Sequence, residues 1–148
     1  MFIRRVQVVV LTACVLTMVA LGVAAQSEEK FRTRLAPVAM DIAMRANIAG
    51  AGSASATLTG NKVTVTGTFD GLLSPATNAH LHMGLAPGVR GPSVFNLTAS
   101  TAKSGTITGS FELSTEQAQA FRQGRFYVVI NSEKAPEGNL WGWLMAAK

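Results

Sequence analysis

The sequence predicts an all-β domain: an antiparallel sandwich or barrel carrying one short helix. Three observations carry this. Short β-rich stretches recur at regular spacing, separated by Gly-rich turns. Val63-Thr64-Val65-Thr66-Gly67-Thr68-Phe69 alternates with period two, the signature of a half-buried strand. The period changes once, at a helix-cap signature beginning with Ser114.

Residues 1–25 read as a secretory signal peptide. Arg4 and Arg5 form its basic start, Val6 to Val23 carries no charge, and Ala24-Ala25 supplies small residues for cleavage. Two rivals are an uncleaved anchor and a lipoprotein, the second because Leu11-Thr12-Ala13-Cys14 has lipobox form. The long apolar run after Cys14 speaks against the lipoprotein, since a tethered chain has a polar linker there. Removal of the leader takes two of 13 basic residues, leaving 11 against 8 acidic ones, so the net charge falls from +5 to +3. It also takes the only cysteine, Cys14, so the domain must fold on its core without a disulfide. About 120 residues bury roughly two thirds of their unfolded surface, which is enough.

Residues 26–34 are charged and read as a loosely docked arm, with the domain proper at 35–148. Gly50-Ala51-Gly52-Ser53 is a turn signal. Ser53 to Leu58 then pairs with the strand 63–69 across a tight turn at Gly60-Asn61, with Val63, Val65 and Phe69 facing the core. Residues 78–83 form a further strand, followed by a Gly/Pro-rich loop, 84–92, and an extended run at 94–97. Residues 106–113 alternate again. Ser114-Thr115-Glu116-Gln117 is a capping box opening a helix of about nine residues, closed by Gly124. Phe126 to Ile130 is nearly all apolar and predicts a central strand buried on both faces. Residues 132–139 make a loop, and 140–145 the closing strand.

His80-Leu81-His82 is the sharpest local feature. On a strand the two imidazoles share a face, about 6.6 Å apart. They can hold one metal ion, with Met83 as a thioether for copper. The competing reading is structural, with both rings hydrogen-bonded to the loop that follows. Zinc needs four ligands, and the mature chain has neither a third histidine nor a cysteine. Loop 84–92, with Gly84, Gly88, Arg90 and Gly91, is either a binding surface or a connection whose glycines provide positive φ. It lacks the Lys-Ser/Thr pair of a phosphate loop. Trp141 and Trp143 share one face of the last strand, with Tyr127 a candidate neighbour across the pair. Asn96-Leu97-Thr98 is a glycosylation acceptor sequence. Serines are many, but none has a nucleophile-elbow setting. Arg45, Lys62, Arg90, Lys103, Arg122 and Lys134 are scattered, which predicts no nucleic-acid partner.

Ala79-His80-Leu81-His82-Met83-Gly84, then Gly88, then Gly91-Pro92-Ser93-Val94, resembles the central motif of the CHRD domain, named for chordin. Gly124-Arg125-Phe126-Tyr127-Val128-Val129-Ile130-Asn131, followed by Pro136, Gly138 and Leu140-Trp141-Gly142, resembles its closing stretch. The resemblance covers about residues 31–146. The chain departs from the family pattern in its early segment and at two later sites. Leu35-Ala36-Pro37-Val38 only faintly echoes a Glu-Val-Pro-Pro segment. Asn131 stands where the family has histidine. Asn139-Leu140-Trp141-Gly142 stands for Glu-Ile-Arg-Gly.

The resemblance implies an immunoglobulin-like β-sandwich and an extracytoplasmic address, periplasmic or secreted, and it implies no reaction. The family is similar in turn to copper/zinc superoxide dismutase. That enzyme needs six histidines and an aspartate, which two histidines cannot supply. The expected function is a non-enzymatic binding module without a cofactor, recognising a protein or an envelope component through His80, His82, Gly84, Gly88, Arg90 and Gly91. The alternative is a copper or zinc protein using His80, His82 and Met83. Membrane contact is expected only through an uncleaved leader.

Overall fold

The structure is a computed structural model that describes residues 25–148. The signal peptide, the anchor alternative and the Cys14 lipobox all fall outside the described residues.

Nine strands and one helix follow in the order β1 (Glu28–Pro37), β2 (Ala51–Thr59), β3 (Lys62–Asp70), β4 (Ala76–Met83), β5 (Ser93–Ala99), β6 (Gly105–Glu112), α1 (Thr115–Arg122), β7 (Phe126–Ser132), β8 (Leu140–Trp143) and β9 (Met145–Ala146). A short 3-10 turn, Ala43–Ala46, lies between β1 and β2. All strand pairings are antiparallel, as expected. Among the described residues no helix is long and apolar enough to cross a membrane.

The pairing closes on itself. The strand order runs β2-β3-β6-β5-β4-β7-β8-β1, and β1 pairs back onto β2, giving an eight-stranded barrel. This corrects the immunoglobulin-like sandwich. Two strands change partners along their length. β5 pairs with β4 through Ser93 to Leu97 and with β6 through Thr98 and Ala99. β1 pairs with β2 over Glu28 to Leu35, while its other edge takes β9 at Phe31 and Arg32 and β8 at Ala36 and Pro37. Closure satisfies the backbone edges that an open sandwich would leave free.

The charged arm expected at 26–34 is therefore the closing strand. Phe31 and Leu35 are buried in the core, and Lys30, Arg32 and Arg34 alternate outward. Outward charges on either side of Phe31, with only one further inward apolar residue, Leu35, hid its period.

The remaining elements stand close to where the sequence placed them, although β2 begins inside the expected turn, at Ala51. Gly60 turns the β2–β3 hairpin at φ +61°. Ser114 caps α1 by accepting from the Gln117 backbone N–H, and the Gln117 side chain accepts from Ser114 N–H. Every residue of β7 is buried. Phe126, Val128 and Ile130 join the barrel core, beside Phe121 of α1, Leu81, Leu140 and Val65. Tyr127 and Val129 are buried outside that core, which requires a second layer over the outer face of β7.

Candidate functional site

That second layer is aromatic. The β4–β7–β8 register sets His82, Tyr127 and Trp143 in one outward row and His80, Val129 and Trp141 in the next. The His82 ring stacks on Tyr127 with centroids 4.9 Å apart. Trp143 meets Tyr127 at 4.3 Å, and Trp141 lies nearly parallel to it at 5.6 Å. His80 stands edge-on to His82 at 6.0 Å. Tyr127 is thus covered on three sides and is only 1% exposed. Such ring pairs are each worth about 0.5–1.5 kcal/mol beyond the area they bury.

The loop 84–92 is fastened to this layer through one residue, Gly91. The Tyr127 hydroxyl donates to the Gly91 carbonyl at 2.9 Å and accepts from the Gly91 N–H at 3.0 Å. His82 Nδ1 lies 3.0 Å from the same carbonyl. A carbonyl only accepts, so Nδ1 carries the proton. Partial burial holds the His82 imidazole below its ordinary pKa; the Gly91 bond opposes this, and neighbouring His80 adds to it. Arg125 fixes the loop's other end. Its backbone carbonyl accepts from Gly84 N–H, and its Nε donates to the Gly84 carbonyl, both at 2.9 Å.

The loop glycines serve two purposes, and the sequence reading recognised only one. Gly88 has φ +79° with open space around it, so its conformation requires glycine. At Gly84 a Cβ would stand 1.8 Å from the Val89 carbonyl oxygen, and at Gly91 1.9 Å from that of Met83. Those two are glycines because backbones touch there.

The outward side of the loop is open. Leu85 is 83% exposed and Val89 46%. Arg90 sits 5.2 Å from the Trp141 ring centroid and donates to the Met40 sulfur, so Met40 adjoins the loop. The structure therefore brings together His80, His82, Gly84, Arg90 and Gly91, and leaves Gly88 at the free tip.

Only half of the structural expectation for the histidines holds. His82 does bind the loop backbone, whereas His80 Nδ1 donates to the Asn96 side-chain oxygen at 3.0 Å. The metal alternative gains nothing. Met83 packs against the barrel core, because the strand period turns it away from the imidazoles. Among the described residues no three His, Cys, Asp or Glu side chains gather.

Tyr127 and Arg125 are the site residues that sequence reasoning underrated. Tyr127 carried a signal, its position across from the Trp pair. Arg125 and Met40 carried none.

Three buried side-chain polar atoms among the described residues have no hydrogen-bond partner: Asn131 Oδ1, Asn139 Oδ1 and Trp141 Nε1. They fall at the later positions where the chain departs from the family pattern, histidine, glutamate and arginine there being replaced. Asn131 Nδ2 donates to the Pro136 carbonyl and Asn139 Nδ2 to Ser132 Oγ. Each amide is thus half satisfied.

A comparison with curated proteins found no match, and neither did one with solved structures. A family model, the CHRD domain, matches residues 36–144. This span runs from the end of β1 to the residue after β8, through both histidines, the braced loop and the aromatic layer. The chain belongs to the CHRD domain family.

Proposed function

We propose that this chain is a non-enzymatic, extracytoplasmic binding module. It recognises a protein or another component of the cell envelope through loop 84–92, with His80, His82 and Arg90 behind it. One observation carries the reading. The Gly91 backbone is tied by three hydrogen bonds, while Leu85, Val89 and Arg90 face solvent. A loop ordered in advance loses less entropy when it binds, and each side chain it need not immobilise saves about 0.5–1.5 kcal/mol. Both imidazoles spend their Nδ1 protons on an amide oxygen and a peptide carbonyl, which suits a brace better than a base. The module works without a resident metal or cofactor.

Two experiments test this. A photo-crosslinker placed at Leu85→Cys is expected to capture an envelope component that one at Thr66→Cys, on the far side of the barrel, does not. Identical capture from both positions would sink the recognition face. The purified secreted chain is expected to begin at Gln26. After stripping with chelator, its melting temperature is expected to be the same with and without Cu(I), Cu(II) or Zn(II). A ligand at 100 times its Kd would add about 2.7 kcal/mol, several degrees for a domain of this size.

A further inference from the structure

The outer face of β1 and β2 has a pattern unlike the rest of the surface. Lys30, Arg32 and Arg34 point outward in single file, spaced by roughly 6.8 Å along the strand. Directly across on β2 stand Thr57, Ser55 and Ser53, one opposite each cation. Neither the cations nor these hydroxyls have a side-chain partner: among the described residues the one ion pair is Arg122–Glu29, and none of the six side chains makes a hydrogen bond. Two surface depressions lie along this line. One, of about 230 Å³, is lined by Lys30, Arg32, Ser55 and Thr57 among others. The other, of about 450 Å³, is lined by Arg34, Ser53 and Thr68, with Asp70 at its far wall. Glu28 closes the opposite end of the file.

We propose that this strip docks one chain of a linear acidic polysaccharide. A single file of cations matches the charges along one extended polymer, and the parallel file of hydroxyls matches the sugar's own hydroxyls. The strip has no exposed aromatic ring on which bases could stack, as single-stranded nucleic acid requires. Its apolar margin is Met145, across from Arg32, which is too little to anchor in a bilayer. This proposal stands apart from the loop reading, since the two faces share no residue.

The test uses the protein purified after expression of its full gene, with immobilised heparin and polygalacturonate as probes. Retention is expected at about 0.1 M salt, falling as salt screens the contacts, with none on neutral dextran. Three contacts give a slope of log affinity against log salt of up to about 3 in magnitude. Lys30→Gln with Arg32→Gln and Arg34→Gln is expected to lower affinity about tenfold and flatten that slope. Arg45→Gln with Lys103→Gln and Lys134→Gln makes the same charge change elsewhere and is expected to cost less than twofold. If the strip triple unfolds, each single strip variant should still lose about twofold. Equal loss in both triples, no retention of the unaltered protein, or tighter binding to oligo-dT or anionic vesicles than to the polysaccharides would overturn the proposal.

Discussion

β7 and β3 lie on opposite sides of the same barrel, and their outer faces are built differently. On β3 the inward residues Val63, Val65 and Phe69 are buried, and Thr64, Thr66 and Thr68 are exposed. Among the described residues, the one side-chain hydrogen bond across that face joins Thr64 and Ser110, at 3.2 Å. On β7 both faces are buried, and the outer one carries Tyr127 under three rings and a loop. A second buried layer changes what lies above it. It turns an exposed connection, loop 84–92, into a fixed surface, because a buried hydroxyl must find partners and finds them in the Gly91 backbone. The β3 face needs no such partners, because water supplies them.

Mutations separate the two faces. The largest effect is expected from Tyr127→Ala, about 3–5 kcal/mol of destabilisation, since it removes a buried ring together with its bonds. Thermal unfolding would show this as a loss of more than about 10 °C. Gly91→Ala forces a Cβ to 1.9 Å from the Met83 carbonyl oxygen and should cost about 1–3 kcal/mol. Tyr127→Phe keeps the ring and strands the Gly91 N–H, for about 1–2 kcal/mol. Acidification acts more weakly. The folded state holds the His82 pKa below its ordinary value of about 6.5. The unfolded chain therefore binds the proton more readily, so stability is complete above about pH 6.5 and falls as pH drops through the lowered folded value. Partial exposure keeps the loss small, and His82→Gln should flatten that part of the pH profile. Thr66→Ala on the open face is expected to stay within about 0.5 kcal/mol, as surface changes do. A Thr66→Ala cost as large as that of Tyr127→Phe would erase the distinction between the faces.

What the sequence revealed follows the same division. Local signals were legible: the Ser114 capping box, the Gly60 hairpin, the apolar run of β7 and the shared face of Trp141 and Trp143 each depend on neighbours a few residues away. Closure of the barrel was not legible. β1 offers only Phe31 and Leu35 as buried apolar residues between outward charges, and its pairing with both β2 and β8–β9 spans most of the chain. At the site, His80 and His82 announced themselves by spacing. Their roles did not, because the partner of His80 comes from β5 and that of His82 from the folded-back loop. Gly84 and Gly91 were visible as glycines. That backbones meet there, and not that φ is positive, is a fact of tertiary structure.

Gly91 holds its end of the loop to the aromatic layer. Amide hydrogen exchange at Gly91, compared with Gly88 at the free tip, tests it most directly. Gly91 is expected to be protected in the unaltered chain, and Tyr127→Phe is expected to make it exchange as fast as Gly88 while the amides of β3 are unchanged. Fast exchange at Gly91 before any substitution would contradict it.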